Sequence, residues 1–249
     1  MSGPRDSRTG FVADTLSFSS VDGPGNRFVV FLQGCNFDCI ACHNPQTIPG
    51  HGPIEGHHPT HQTVEELLVE IRRAAPFISG VTVSGGEATQ QWPFVLDLFT
   101  VIHADPSLTA LTCFVDSNGA CDLSVWDDLA PVMDGAMIDL KCLDDAIHRE
   151  MTGESNVPVL ASIEHLQALG RLHEVRLLLL ADVNDDEHIL RRTAEWLARL
   201  DRHMRVTLIG FRGHGVRLHD PPLIEPTPDR MRAAASTLAE VAPFDITVV

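Results

Sequence analysis

Six short runs rich in β-branched and apolar residues recur along this 249-residue chain, with helix-period segments between them, and that alternation constrains the fold most. The runs are 27–33 (RFVVFLQ), 80–84 (GVTVS), 110–116 (ALTCFVD), 135–140 (GAMIDL), 174–181 (EVRLLLLA) and 204–210 (MRVTLIG). A seventh, 244–249 (FDITVV), reads as a further strand or an edge. Several are apolar on both faces, as parallel strands covered on both sides must be. Helical periodicity falls at 63–75, 92–104, 122–131, 158–170, 185–200 and 228–241. The first of these opens as a capping box, with Thr63 at the N-cap and Glu66 three residues on, and Val64, Leu67, Leu68 and Ile71 form its apolar stripe. The last starts with Thr227 as cap and Pro228 at the first helical position, where a missing N–H costs nothing. Short connections between strands and helices predict an α/β fold built as a parallel βα array. Right-handed crossovers would curl it into a partial barrel or lay it out as an open doubly wound sheet. No repeat or linker divides the chain, so 1–249 reads as a single domain.

Charge narrows the function. Eighteen Lys and Arg stand against 34 Asp and Glu, a formal charge of −16, which argues against nucleic acid and anionic membranes as partners. The N-terminal MSGPRDSRTG has no apolar run, and nothing approaches the ~20 apolar residues of a membrane span. The expectation is a cytoplasmic protein, in which clustered cysteines mean metal or catalysis rather than disulfides. One stretch, 45–61, lacks periodicity and is rich in Pro, Gly and His. Its His51, His57, His58 and His61 invite a metal reading, but no cysteine or paired carboxylate accompanies them.

The chemistry concentrates in GCNFDCIACHNP, residues 34–45, with Cys35, Cys39 and Cys42. A structural zinc would need a fourth ligand, and His43 is badly placed to close the same tetrahedron. A redox pair at Cys39 and Cys42 would be expected at a helix N-terminus, not in a glycine-led loop with a third cysteine. The CxxxCxxC spacing fits a [4Fe-4S] cluster held by three thiolates, one iron being left open. Cys113 reads as a core residue, and Cys121 and Cys142 match no ligand spacing.

Around these cysteines stand further blocks: TLSFSSVDGPGNRFVVFLQ before them, then VTVSGGEATQQWPFVLDLF, LTCFVDSNG and AMIDLK. In that order they resemble the radical S-adenosylmethionine (SAM) glycyl-radical enzyme activating enzymes of the pyruvate formate-lyase activating type. The likeness is greatest to YjjW-type activases, which share SGGEAT, the LTC-VDSNG pattern and a later HGV. Those proteins carry a ferredoxin-like insertion with extra cysteine clusters where this chain has only 45–61, so auxiliary clusters are not expected. The blocks span nearly the whole chain.

The resemblance implies a radical SAM partial (β/α)6 TIM-like barrel. It implies a [4Fe-4S] cluster on Cys35, Cys39 and Cys42, whose open iron binds the amino and carboxylate groups of SAM. One electron, from flavodoxin or ferredoxin, would cleave SAM to methionine and a 5′-deoxyadenosyl radical. That radical would take a hydrogen atom from a glycine of a partner glycyl-radical enzyme. Gly85, Gly86 and Glu87 would lie at the SAM ammonium. Asp116, Ser117, the Met137 carbonyl and Asp139 would surround a monovalent cation, and Lys141 and Asp139 would face SAM. Ala41, standing where relatives have an aromatic, would contribute backbone only, with His43 beside it, and Arg212 or His214 would lie near the ribose. Asp22 in VDGPG would meet the substrate peptide, although Gly23-Pro24-Gly25 is also ordinary turn chemistry. A monomer is expected. Two alternatives stand beside this: a radical SAM enzyme acting on a small molecule, and a zinc-stabilised binding module. VDGPG, the length and the lack of a C-terminal auxiliary domain favour a protein substrate; a binding module would have no use for SGGE or DLK.

Overall fold

The computed structural model of the chain describes residues 8–48 and 58–249. Within them the chain forms two compact units, interleaved in sequence. One takes the chain up to Asn36, then Gln46–Ser117 and Cys121–Met137; the other takes Phe37–Pro45, Asn118–Ala120 and Ile138–Val249.

In the first unit β1 (Thr9–Ser19) pairs antiparallel with β2 (Arg27–Leu32) and with β3 (Thr60–Thr63). β2 continues into a parallel array with β4 (Gly80–Gly85) and β5 (Thr112–Ser117). The register runs Arg27↔Gly80 to Leu32↔Gly85 and Gly80↔Thr112 to Val83↔Val115, so the loops that leave these strands start at one level. Phe28, Val29, Val30, Val81 and Val83 have no exposed surface, as two-sided apolar runs require. Helices α1 (Val64–Ala74), α2 (Trp92–Ala104) and α3 (Leu123–Leu129) complete the unit. The predicted capping box is present: Thr63 Oγ1 accepts from Glu66 N at 3.2 Å, and Glu66 Oε2 accepts from Thr63 N at 2.7 Å.

The starts of these strands are tied by Arg27, which is fully buried. Its Nε donates to Thr82 Oγ1 (3.1 Å), Nη1 to Thr112 Oγ1 (2.6 Å), and Nη2 to the carbonyls of Val81 (2.7 Å) and Thr112 (2.9 Å). Burial pulls its pKa down to about 10, so it stays charged at neutral pH. The VDGPG turn closes over it, with Gly23 at φ 129° and Gly25 at φ 74°. A Cβ at Gly25 would stand 2.4 Å from Ser79 Oγ, so the turn's glycines have a structural reason of their own.

β6 (Gly135–Asp139) begins in the first unit and ends in the second. The second unit continues with α4 (Asp145–Thr152), α5 (Val157–Ala168), β7 (Leu172–Leu179), α6 (Glu187–Leu200), β8 (Arg205–Gly210), α7 (Pro228–Val241) and β9 (Asp245–Val248). β7, β8 and β9 are parallel, and Leu140 N donates to Arg176 O at 2.9 Å beside them. The run at 244–249 is therefore a paired strand. Thr227 caps α7 through Arg230 N at 3.3 Å with Pro228 in the first turn, as predicted.

Three elements were not anticipated, one of them β3, whose Thr60 and His61 fell in the stretch without periodicity. β1 carries Asp, Thr and Ser among its apolar residues, and register shifts between Val12 and Asp14 and between Leu16 and Ser19 break its alternation. α4 is short and polar; the Asp144 side chain caps its start and Gly153, at φ 84°, ends it. Of the stretch 45–61, Pro45–Thr47 is a 3-10 turn, Thr60 and His61 belong to β3, and His61 stacks on Phe11 at 4.7 Å. His51 and His57 lie outside the described residues. Among the described residues no helix is long and apolar enough to cross a membrane.

Candidate cofactor site

The cysteine loop leaves the end of β2. Cys39 and Cys42 belong to the second unit, where a tight turn (Cys42 N to Cys39 O, 3.3 Å) brings their backbones together. Two neighbouring amides are anchored on the last turn of α4: Asp38 N donates to Thr152 O and Ile40 N to Met151 O, both at 2.9 Å. Helix-end carbonyls need such donors, so α4 and the loop satisfy each other. Arg217 donates from Nη2 to Cys39 O at 2.9 Å and pairs with Asp38 Oδ1 at 2.6 Å. Ala41 is 4% exposed and packs in an apolar cluster with Cys142, Met151, Leu180 and Phe211. Burial pushes the Cys39 thiol up to about 11, with Lys141 pulling the other way. The Cys42 thiol is also raised by burial, against the Asn44 backbone, Lys141 and Arg217. All six cysteines are free of disulfides.

Cys35 follows Gly34 in the first unit, and SGGE (84–87) lies against this point. Gly86 N donates to Leu32 O at 2.8 Å and Glu87 N to Gly34 O at 2.7 Å. A Cβ at Gly86 would fall 2.1 Å from Gly34 O and 3.2 Å from Cys35 N. The glycines are thus required by backbone packed on backbone, before any ligand is considered. An ammonium group only donates, so here it could be received by carbonyl or carboxylate oxygens and not by the amides. Glu87 is 1% exposed, and its Oε1 accepts from Thr89 N (2.8 Å), Thr89 Oγ1 (2.6 Å) and Ser117 Oγ (2.7 Å). Asp116 accepts from Ser84 Oγ at 2.8 Å. Asp22 receives the Ser19 hydroxyl on its carboxylate and Thr82 Oγ1 on its carbonyl at 2.7 Å. Met137 is buried, with Sδ 3.5 Å from where a Gly23 Cβ would be.

In the second unit Asp139 Oδ2 and Lys141 Nζ are 2.7 Å apart. Burial would lower the Lys141 pKa, but Asp139, Cys39 and Cys42 outweigh it, and the ammonium stays charged. A strand-end pair beside two thiols is more than a solvated pair of charges. His43 Nε2 and Arg212 O are 2.8 Å apart, so that nitrogen carries the proton and donates. The Arg212 guanidinium instead points to Glu225, Nη1 to Oε2 at 3.5 Å, while His214 is exposed. The sequence expectation left Arg212 and His214 as alternatives; of the two, the Arg212 guanidinium is turned to an acid. Sequence reasoning missed Arg217 and the α4 carbonyls. Only the α4 helix left a local signal, in Asp144 and Gly153.

Among the described residues one group of potential metal donors stands close together, His103, Cys113 and Asp134, and its backbone and side-chain bonds are local. Cys113 N donates to Asp134 Oδ2 at 2.7 Å, Asp134 N donates to Cys113 O at 2.8 Å, and His103 Nε2 donates to Val132 O at 3.0 Å. Cys113 is fully buried, as the sequence reading expected of a core residue.

A parallel α/β chain whose first core strand runs into an anchored three-cysteine loop defines a metal-dependent enzyme class. Residues 29–194 match the radical SAM superfamily. The pyruvate formate-lyase-activating enzyme of Streptococcus mutans is 34% identical over 91% of this chain and 89% of that protein. A Haemophilus influenzae protein provisionally named a glycyl-radical enzyme activating enzyme is 31% identical over 81% of this chain and 82% of its own. A solved domain of a pyruvate-formate lyase-activating enzyme from Bacteroides vulgatus superposes with a TM-score of 0.56 at 23% identity, over 69% of this chain and 99% of that one, which speaks to the fold. The chain belongs to the radical SAM superfamily and, within it, to the glycyl-radical enzyme activating enzymes.

Membership implies a [4Fe-4S] cluster and SAM. The donors fit that group: free thiols of the soft kind iron–sulfur clusters take, on a loop whose backbone is fixed by contacts other than its thiols.

Proposed function

We propose that this chain activates a partner glycyl-radical enzyme, with Cys35, Cys39 and Cys42 as the three protein ligands of its cluster and the whole chain working as one radical SAM core. When bound, the cluster and SAM would supply one-electron radical chemistry, directed at removing a hydrogen atom from a glycine of the partner. The residues bind and orient. Carbonyls of Gly85 and Gly86 receive the SAM ammonium, and Glu87 holds the turn that presents them. Lys141, fixed and kept charged by Asp139, meets SAM's carboxylate. Ala41 and His43 flank the adenine, with His43 oriented by the Arg212 carbonyl. Exposed His214 is better placed than the Arg212 guanidinium to reach a ribose. Asp116, Ser117, Met137 and Asp139 supply oxygens for a monovalent cation, and Asp22 for the substrate peptide. Flavodoxin or ferredoxin delivers the electron to a monomer.

The observation that carries this reading is the cationic Lys141 against Asp139, acting on both Cys39 and Cys42: one charge that can serve both cluster thiolates and an anionic ligand. Relatives named as activases of a protein substrate, matched over most of their length, favour a protein over a small molecule. Anaerobic reconstitution tests it. The expected product is a brown protein with about four irons per chain. After reduction it should form 5′-deoxyadenosine from SAM, and Cys39→Ala should lose the cluster. Zinc in place of iron, or an unchanged iron content in Cys39→Ala, would overturn the ligand assignment.

A further inference from the structure

Arg217 lies 178 residues from Cys39 in sequence yet donates to its carbonyl at 2.9 Å. The same Nη2 lies 3.4 Å from Asp38 O and 2.6 Å from Asp38 Oδ1. From the other side, the amides of Asp38 and Ile40 are held by Thr152 O and Met151 O. The peptide groups from 38 to 40 are therefore gripped at their carbonyls by one guanidinium and at their amides by one helix end. All three contacts are made by one guanidinium nitrogen, whose two N–H groups are shared between a carboxylate and two carbonyls.

We infer that Arg217 is a positioning residue for the metal-ligating loop: it fixes the peptide groups around Cys39 and sets a positive charge beside the cluster, favouring the reduced form. This rests on the ligand reading above. Net charge and hydrogen bonding around a cluster are the protein's main levers on its reduction potential. Arg217 makes no claim on substrate; it acts through Asp38 and Cys39.

Three variants separate its parts: Arg217→Lys keeps the charge, Arg217→Gln keeps a donor, and Arg217→Ala keeps neither. In reconstituted protein the midpoint potential should fall in the Gln and Ala variants and stay near wild type in Lys. Release of iron to a chelator should quicken in the Gln and Ala variants, on the order of tenfold for loss of a charge-assisted hydrogen bond, and less in Lys, which keeps a cationic donor. In the metal-free chain, hydrogen exchange of the peptide covering 37–43 should quicken in the Ala variant while distant strands keep their protection. Wild-type potential and wild-type exchange in Arg217→Ala would overturn the inference. The two readings fail separately, since cluster retention in Cys39→Ala tests the ligands and exchange in the metal-free chain tests the arginine.

Discussion

His148 sits on α4, the helix whose last carbonyls hold the cysteine loop, and it has no exposed surface. Neither ring nitrogen has a hydrogen-bond partner of normal geometry, and the ring meets Phe37 edge-on at 5.7 Å. Burial pulls its pKa from 6.5 to about 4, with Lys141 and Arg149 pushing the same way and the Cys142 backbone and Asp145 opposing. The folded pKa lies below the unfolded one, so as pH falls below 6.5 the unfolded chain takes the proton first. Stability is thus intact above 6.5 and lost as pH drops toward 4. That difference is worth about 3 kcal/mol when fully developed and about 2 kcal/mol at pH 5. Replacing His148 by Leu removes the titrating group together with two unsatisfied nitrogens, each of which costs about 1–3 kcal/mol when buried. Urea unfolding of the metal-free chain under anaerobic reducing conditions, at pH 7.5 and pH 5, measures the effect. His148→Leu should match or exceed wild type at pH 7.5. Its advantage should grow by about 2 kcal/mol at pH 5. An equal loss in both proteins between the two pH values would refute the reasoning, because every other titration is common to both.

Two other substitutions probe the loop. Gly86→Ala places a methyl 2.1 Å from Gly34 O, a clash with backbone, and should cost about 2 kcal/mol or more in unfolding free energy and lower the iron bound on reconstitution; wild-type stability would show the approach is looser than described. Ala41→Tyr, which restores an aromatic before the third cysteine, overfills the cluster of Met151, Leu180 and Phe211 and should lower stability by about 1–3 kcal/mol. An unchanged melting temperature would mean the ring can leave the cluster for solvent.

The parts of the fold legible in sequence are those whose cause is local. β2 and β4 are apolar on both faces, and α1 and α7 carry their own caps, so each announced itself within a dozen residues. β1 did not, because exposed Leu16 and Phe18 and two register shifts leave no steady period. α4 did not, because its eight residues turn only Ile147, His148 and Met151 inward among apolar neighbours, too few to show a helical period. At the site, motif spacing located the cysteines and the strand-end acids and bases. It could not pair Arg217 with Cys39, nor His43 with the Arg212 carbonyl, since spacing carries no information about partners so distant in sequence. SGGE was legible as a place where backbone must come close, but the close approach is first to Gly34. Ala41, odd as a ligand-contact position, is plain as a packed one: Phe211 and Met151 occupy the surroundings that a larger side chain would need.

The central claim is that this chain makes a radical on a glycine of another protein. The direct measurement is electron spin resonance of a glycyl-radical enzyme incubated anaerobically with the reconstituted chain, SAM and a reductant. The account predicts an organic radical signal on the partner, split by one α-hydrogen, losing that splitting when the partner's glycines are α-deuterated, with deuterium recovered in 5′-deoxyadenosine. Formation of 5′-deoxyadenosine with no radical and no deuterium transfer, across candidate partners, would contradict it and turn the assignment toward a small-molecule substrate.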